Sequence, residues 1–166
     1  MMIETERLRL RPPNPSDAQD LFRFLGDRNA MRFTHVQASL DECRRYLEGH
    51  EGNRERVGYA PWVILDRSDL IVGFGGLYED PFDPGWGLEI GYYFAPEAWG
   101  KGYASELVRY CLDLVRQDVR LSEVGAFAHP DNAASRHVLM KSGFRQERLI
   151  PSMSRYFYRL ALRNSA

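Results

Sequence analysis

The chain has 166 residues, of which 44% are hydrophobic and 27% charged, and its net charge at pH 7 is −1. This size and composition predict one soluble globular domain over residues 1–166. The near-zero charge excludes a general attraction to nucleic acid or to an anionic membrane, and no apolar run approaches the roughly 20 residues that span a bilayer. The charged N-terminal stretch differs from a signal peptide, so we expect a cytoplasmic protein.

Cysteine and histidine spacing gives no sign of a metal or redox site. Cys43 and Cys111 form no C-x-x-C pair. Cys111 lies on the apolar stripe of a predicted helix, which favours a core position over a nucleophile. The histidines lack the spacing of zinc ligands; they are His35, His50, His129 and His137. We therefore expect no metal.

The N-terminal third is predicted to form one strand and two helices. Leucine and arginine alternate from Arg7 to Arg11, as in a half-buried strand. Asn14 or Ser16 caps a helix that runs to about Gly26, and a capping box at 39–42 starts a second helix through Leu47. The stretch 28–38 between the helices either covers a substrate groove or is a packed loop.

Strands follow in the middle of the chain. Residues 60–65 and 70–78 flank a polar turn and predict a hairpin, and 88–94 is the next strand. The loop between them, 79–86, is both acidic and aromatic. A long amphipathic helix begins near Tyr103.

The C-terminal part is predicted to add a strand at 121–128, a helix at 133–142 capped by Asn132 and ended by Gly143, and strands at 144–149 and 156–162. The predicted order is β-α-α-β-β-β-α-β-α-β-β. This order indicates a mixed α/β fold in which helices pack on one central sheet.

A glycine loop joins the strand 88–94 to the long helix, with the sequence Trp99-Gly100-Lys101-Gly102-Tyr103-Ala104. Glycines at the mouth of a helix let free backbone amides approach a phosphate or pyrophosphate. The alternative is a tight turn that needs glycine only for its geometry. The loop is not a dinucleotide fingerprint, because Ser105 stands where the third glycine belongs, and no nucleoside triphosphate loop occurs.

Two motifs in register carry a family resemblance. The glycine loop matches the acyl-CoA pattern [QR]-x-x-G-x-[GA], except that Trp99 holds the first position. Residues 132–135 (Asn-Ala-Ala-Ser) and 141–144 (Lys-Ser-Gly-Phe) resemble a second element, N-x-x-S/A…K-x-G-F. With this element order, the chain resembles the GNAT superfamily of N-acetyltransferases. The opening Thr5 to Arg11 and the run from Gly91 to Glu106 resemble its branch of ribosomal-protein N-terminal acetyltransferases (RimJ/RimL-like).

The resemblance implies a mostly antiparallel, splayed mixed sheet and acetyl-CoA as cosubstrate. The pantetheine arm would enter between the strands on either side of the long helix, where Gly91 and Gly125 suit a bulged, close backbone approach. The implied cofactor-binding residues are Tyr93, Phe94, Ala95, Trp99, Gly100, Lys101, Gly102, Tyr103, Ala104, Asn132 and Lys141. Asn132 is alternatively only a helix cap, and Lys141 only a solvated charge.

Amide formation from a thioester requires a neutral amine, an oxyanion stabiliser and a proton for the thiolate. Glu89 is the expected general base, acting through water, and His129 is the rival. Ser135 is the expected proton donor to the leaving sulfur, and a backbone amide near Phe94 would stabilise the oxyanion. The alternatives are a solvent-facing strand glutamate for Glu89 and a helix-stabilising serine for Ser135. The family uses direct transfer, so no acyl-enzyme is expected.

The acceptor class follows from the loop 79–86, where carboxylates of Glu79, Asp80 and Asp83 accompany Phe82 and Trp86. Such clusters suit a cation, which predicts a cationic small-molecule amine or a protein N-terminus. The alternative is a solvated turn. A homodimer is common in the family. A competing function is an acyl-CoA-binding regulatory domain with little or no catalysis.

Overall fold

An eight-stranded sheet organises the computed structural model, which describes residues 1–162. The elements are β1 (Ile3–Glu4), β2 (Arg9–Arg11), α1 (Ala18–Leu25), α2 (Leu40–Val57), β3 (Trp62–Leu65), β4 (Ile71–Tyr78), β5 (Glu89–Phe94), α3 (Tyr103–Gln117), β6 (Glu123–Ala128), α4 (Ala133–Lys141), β7 (Arg145–Ile150) and β8 (Arg155–Ala161). The strand order in the sheet is β1-β2-β3-β4-β5-β6-β8-β7.

The predicted mixed α/β fold is confirmed, with two differences in the elements. A two-residue strand, Ile3–Glu4, precedes the first predicted one and pairs with β2. Helix α2 continues ten residues beyond Leu47, to Val57. Its second half buries polar side chains, His50 and Asn53, so the apolar periodicity fades although the helix continues. The predicted domain spans residues 1–166, of which 163–166 lie outside the described residues.

Helices cover both faces of the sheet. Helices α3 and α4 pack on one face, where Ile90 and Phe94 of β5 meet Leu107 and Cys111. Cys111 is fully buried, as predicted. Helices α1 and α2 pack on the other face, around Phe74. In residues 1–162 no helix is both long and apolar enough to cross a membrane.

The central strands β5 and β6 run parallel but pair at one point only, Glu89 opposite Gly125. There the amide of Gly125 donates to the carbonyl of Leu88 at 3.0 Å. Every other neighbouring pair in the sheet is antiparallel. Beyond this point β5 and β6 diverge towards their C-terminal ends, so the sheet has an opening between its two helical layers.

The predicted bulges at Gly91 and Gly125 were wrong. Pairing of β4 with β5 and of β6 with β8 passes through both glycines without a register shift. Glycine is needed at both positions because a larger residue would collide with a neighbouring aromatic side chain. A Cβ at position 91 would lie 2.1 Å from the Tyr78 hydroxyl oxygen, and one at position 125 would lie 2.9 Å from the Phe157 ring.

Candidate active site

A cavity of about 460 Å³ occupies the opening between β5 and β6. Its wall combines residues of β5, the glycine loop, the first turn of α3, the end of β6 and helix α4. Residues Ala30, Arg32, Phe33 and Thr34 complete it, with Tyr78 and Arg155. The stretch 28–38 therefore contributes to the wall of the cavity, as one of its two predicted roles required.

The glycine loop lies at the mouth of this cavity. Gly100 and Gly102 have φ of 75° and 80°, a backbone region that glycine adopts without strain. Gly102 is the N-terminal cap residue of α3, and no side chain caps this helix end. The first-turn amides of a helix have no intrahelical partner, and the helix dipole adds positive charge there. Gly102, Tyr103 and Ala104 line the cavity, so these groups are available to an anion at its edge.

A buried carboxylate fixes this loop to the N-terminal segment. Glu106, in the first turn of α3, accepts hydrogen bonds from the Thr5 hydroxyl at 2.5 Å and from the Arg7 backbone amide and Nε at 2.8 Å each. Arg7 also donates to the Lys101 carbonyl and lies over the Tyr103 ring. Burial alone would raise the pKa of Glu106, but the bonds from Thr5 and Arg7 outweigh it and lower the pKa. The carboxylate is therefore charged and holds the loop in place.

The residues predicted to meet the pantetheine arm are placed unequally. Tyr93 and Phe94 line the cavity. Ala95 is fully buried outside its wall, and its amide donates to Val72 while its carbonyl accepts from Ala98, both at 2.8 Å. Trp99 lines the cavity, and its Nε1 donates to the Phe94 carbonyl at 2.9 Å. This hydrogen bond connects the glycine loop to the end of β5.

Two predicted lysines lie outside the cavity wall. Lys101 and Lys141 are exposed, and neither side chain lines the cavity. Asn132 does line it, and its Oδ1 accepts from the Ser135 amide at 3.2 Å as a helix cap. The cap and a ligand-facing position are therefore compatible for Asn132.

Ser135 lies beside a tyrosine that the sequence analysis did not single out. The Ser135 Oγ and the Tyr92 hydroxyl are 3.0 Å apart, and both residues line the cavity. Burial raises the pKa of Tyr92 to about 12, which the bond to Ser135 only partly offsets. The phenol stays protonated near neutral pH and is able to donate to Ser135.

Glu89 lines the cavity from the face that carries α1 and α2. It is a buried side chain, only 6% exposed, so it is not a solvent-facing strand residue. Burial raises the pKa of Glu89 to about 8; repulsion from Asp80 adds to this, while Arg155 and a hydrogen bond from Tyr78 oppose it. A group with this pKa exchanges protons near neutral pH, which suits a general base.

His129 is placed less favourably for that task. It follows β6, lines the cavity and stacks on Phe33 with ring centroids 5.1 Å apart. Its Nδ1 accepts a hydrogen bond from the Asp131 amide at 3.0 Å. In the neutral ring the proton then lies on Nε2, which leaves no free lone pair to accept another. The geometry therefore favours Glu89.

The acidic loop 79–86 does not line the cavity. Phe82 stacks on Tyr46 of α2 at 5.7 Å, and Trp86 packs edge-on against Phe127 at 5.3 Å. Each aromatic ring of the loop thus contacts a neighbouring ring, and neither is part of the cavity wall, although Phe82 is 56% exposed. Among residues 1–162, no group of His, Cys, Asp and Glu is arranged to hold a metal ion.

Comparison with known sequences shows the family. A family model described as "Acetyltransferase (GNAT) domain" matches residues 7–145. The protein YkkB of Bacillus subtilis is 30% identical over 150 residues, covering 89% of this chain and 87% of its own. The N-acetyltransferase YoaA of B. subtilis is 28% identical over 152 residues, covering 88% and 84%.

Solved structures share the fold. A GNAT-family acetyltransferase from Bacillus anthracis superposes with a TM-score of 0.76 at 22% identity, covering 98% of this chain and 99% of its own. The ribosomal L7/L12 alpha-N-protein acetyltransferase RimL, in complex with coenzyme A, gives 0.78 at 17%, covering 97% and 98%. RimJ of Mycobacterium smegmatis, with a CoA disulfide, gives 0.73 at 24%, covering 93% and 81%.

Proposed function

The chain belongs to the GNAT family and is an acyltransferase, and from this premise we propose that it transfers the acetyl group of acetyl-CoA directly to a primary amine. The observation that carries the proposal is the opening between β5 and β6. It exposes Ser135 and Tyr92 on the α3 side and Glu89 on the α2 side of one cavity. A thioester in the opening would therefore meet a proton donor and a proton acceptor from opposite faces.

The binding half of the site fits a CoA ester. The amides of the glycine loop and the first turn of α3 suit the pyrophosphate, and Lys101 adds a cation in the same loop. The gap left between diverging strands suits an extended arm with amide groups. Asn132 would hold the pantetheine part, and the exposed Lys141 would approach the nucleotide end.

The chemical half divides the proton transfers between two groups. Glu89 takes the proton of the attacking amine through water, and its pKa of about 8 lies close to that of a free α-amine, about 7.7–8.0. Ser135 gives its hydroxyl proton to the leaving sulfur and receives one from Tyr92, which regains a proton from water in the cavity. The new C–N bond forms as the C–S bond breaks, so no acyl-enzyme is required.

For the acceptor, the RimJ/RimL-like resemblance supports a protein N-terminal α-amine, the kind of group on which RimL acts. A small-molecule amine is the second class. The loop residues Ala30, Arg32, Phe33 and Thr34, which form part of the cavity wall, offer side-chain contacts to such an amine.

The proposal is tested by measuring thiol release from acetyl-CoA with a panel of peptides and small amines, with products identified by mass spectrometry. We expect amine-dependent release that matches the acetylated product mole for mole. The double variant Glu89→Gln, Ser135→Ala is the matched control for uncatalysed transfer. Acetyl-CoA binding without turnover across the panel would instead support an acyl-CoA-binding regulatory domain.

A further inference from the structure

Arg155, the first residue of β8, forms part of the cavity wall. Its guanidinium lies 5.2 Å from the centroid of the Phe127 ring, which also lines the cavity. Stacking on an aromatic ring fixes the plane of a guanidinium and leaves its N–H edge free. Arg155 is therefore preorganised at the wall rather than extended into solvent.

Within the described residues 1–162, Arg155 has neither an ion pair nor a hydrogen bond to another side chain. Other arginines with structural roles are paired. Arg159, on the same strand, meets Glu123 at 3.0 Å and Glu147 at 3.3 Å, and Arg11 meets Asp17 at 2.7 Å. A guanidinium that lies over an aromatic ring, lines a cavity and makes no hydrogen bond to a side chain suits an oxyanion, because its N–H groups pair with two oxygens of a carboxylate or phosphonate.

The charges of the cavity wall also favour an anionic ligand. The residues of the wall that carry a formal charge are Arg32, Arg155 and Glu89. Burial holds the pKa of Glu89 near 8, so below that pH its carboxyl is largely neutral and the two arginines dominate. Asp80 and Asp83 act on Glu89 electrostatically, but neither is part of the wall.

The position of Arg155 separates it from the phosphate groups of CoA. Those groups belong at the glycine loop, beside Trp99 and the start of α3. Arg155 instead acts on Glu89, the residue at which β5 and β6 still pair. It therefore lies at the narrow end of the opening, where the acceptor meets the thioester.

We propose that the acceptor amine carries an anionic group, a carboxylate or a phosphonate a few bonds from its nitrogen, and that Arg155 binds this group. The inference rests on the proposed function and assigns its substrate class. The acidic loop 79–86 predicted a cationic acceptor, whereas this inference gives the acceptor an anionic group. The difference arises because the loop does not line the cavity, while Arg155 does. Arg155 acts as a specificity determinant, while Glu89 accepts the proton of the amine.

The test compares matched acceptors that differ only in the anion. Free L-amino acids are paired with their α-carboxamides, and 2-aminoethylphosphonate with propylamine, and kcat/KM is expressed per neutral amine. For the native protein we expect at least about a tenfold preference for the anionic member of a pair. Arg155→Gln should lower the ratio of kcat/KM between the anionic and the neutral member by about 10- to 100-fold. Loss of the Arg155 charge beside Glu89 affects both members alike and cancels in this ratio.

Arg148→Gln is the matched control. Arg148 also lies over the aromatic rings of Trp86 and Phe157, at 5.9 and 5.8 Å, but it is not part of the cavity wall. This variant should keep the preference, and both variants should bind acetyl-CoA as the native protein does. Weaker acetyl-CoA binding by Arg155→Gln alone would assign the guanidinium to CoA and overturn the proposal.

Peptides with an acidic or a neutral second residue form a further arm, which distinguishes a free amino carboxylate from a side-chain carboxylate on a protein N-terminus. Turnover of neutral and anionic amines at equal rates would overturn the anionic acceptor and leave acetyl transfer intact. Turnover of no amine in the panel would overturn the proposed function, and the inference with it.

Discussion

On the α3 side of the opening, the wall includes closely spaced residues at two helix N-termini: Gly100 with residues 102–105, and Asn132 with Ala134 and Ser135. On the α2 side, it is assembled from separate segments: the loop 30–34, Tyr78, Glu89, Phe127 and Arg155. The first side presents backbone amides at helix N-termini, with small side chains beside Tyr92 and Tyr103, whereas the second side presents the charged side chains of Glu89 and Arg155. Backbone sites depend on local conformation, and side-chain sites depend on which distant segments the fold brings together.

This difference separates a general binding function from a particular one. A cosubstrate that is common to a family can be held by backbone geometry, which many sequences reproduce. An acceptor that is particular to one protein requires side chains, which change without disturbing the fold. Substitutions on the α3 side should therefore affect the binding of acetyl-CoA or the departure of its sulfur, and those on the α2 side should affect the binding of the amine or the removal of its proton.

The largest expected effect is at the glycine loop. A valine at Gly102 would be strained at φ 80°, and its Cβ would lie 3.1 Å from the Arg7 guanidinium. We expect Gly102→Val to weaken acetyl-CoA binding about 1,000-fold, because several charge-assisted hydrogen bonds of about 1.5–3 kcal/mol each are lost. Calorimetric titration measures this, with circular dichroism to verify folding.

Gly85→Val is the control for the strain itself. Gly85 also has positive φ, 103°, and a Cβ there has nothing within 4 Å, but it lies outside the cavity. It should keep its affinity for acetyl-CoA. A folded Gly102→Val protein with native affinity would remove the loop from the binding site.

The next effect concerns the proton acceptor on the α2 side. With an acceptor amine whose pKa is about 10, log kcat/KM should rise with slope two below pH 8 and slope one above it, because amine and Glu89 both lose a proton in the lower range. Glu89→Gln should show slope one throughout and a rate about 100-fold lower at pH 8.5. A profile that keeps its break near pH 8 in the variant would assign the base elsewhere.

The same group should influence stability, with a defined sign. Glu89 has a folded pKa of about 8, above its unfolded value of about 4.3. Between these values the folded state keeps a proton that the unfolded state has lost, so the free energy of unfolding should decrease as pH rises. Glu89→Gln should abolish this decrease, and urea unfolding at pH 5 and pH 8.5 measures it. Equal pH dependence in both proteins would show that Glu89 is not buried as described.

The features that could be predicted from the sequence lie mainly on the α3 side of the opening, and those that could not lie mainly on the α2 side. Helix α3, the turn at the glycine loop and the cap of α4 by Asn132 could be predicted, because each depends on neighbouring residues and on periodicity. The site roles expected of Asn132 and Ser135 came from the family resemblance and stay predictions. The contact between Arg7 and Glu106 could not, since 99 residues separate them. Helix α2 was predicted too short because its second half buries polar residues, which give no apolar stripe.

The acceptor side was the least predictable. Arg155 has no local motif, and its role depends on the pairing of β8 with β6, which brings it over Phe127. Tyr92 has the ordinary appearance of a strand tyrosine, and only the placement of α4 puts its hydroxyl beside Ser135. The acidic loop 79–86 gave a clear sequence signal, but its aromatic residues pack on Tyr46 and Phe127, and the loop is not part of the cavity wall.

A smaller effect is expected for the proton donor on the α3 side. Ser135→Ala should lower kcat about tenfold with little change in acetyl-CoA affinity, because a thiolate with a free pKa of about 8.5 leaves without much help. Tyr92→Phe should lower kcat about threefold, since Ser135 still donates. The double variant should be no slower than Ser135→Ala, because both groups serve one proton transfer. Additive losses in this double-mutant cycle would contradict a shared path.

The smallest effect concerns the acidic loop and decides between its two possible actions. If Asp80 and Asp83 attract a cationic acceptor, removing their charges should raise the KM of that acceptor, most clearly at low salt. The structure instead places both aspartates outside the cavity wall, where their negative charges help to raise the pKa of Glu89.

We therefore expect the double variant Asp80→Asn, Asp83→Asn to shift the break in the pH–rate profile below pH 8, because the repulsion is removed while burial remains. The KM of a cationic amine should change less than about twofold. Glu79→Gln, in the same loop, is the matched control and should shift neither quantity. A higher KM at low ionic strength with an unmoved break would show that the loop acts on the acceptor directly, and the charge on the acceptor would then follow the loop rather than Arg155.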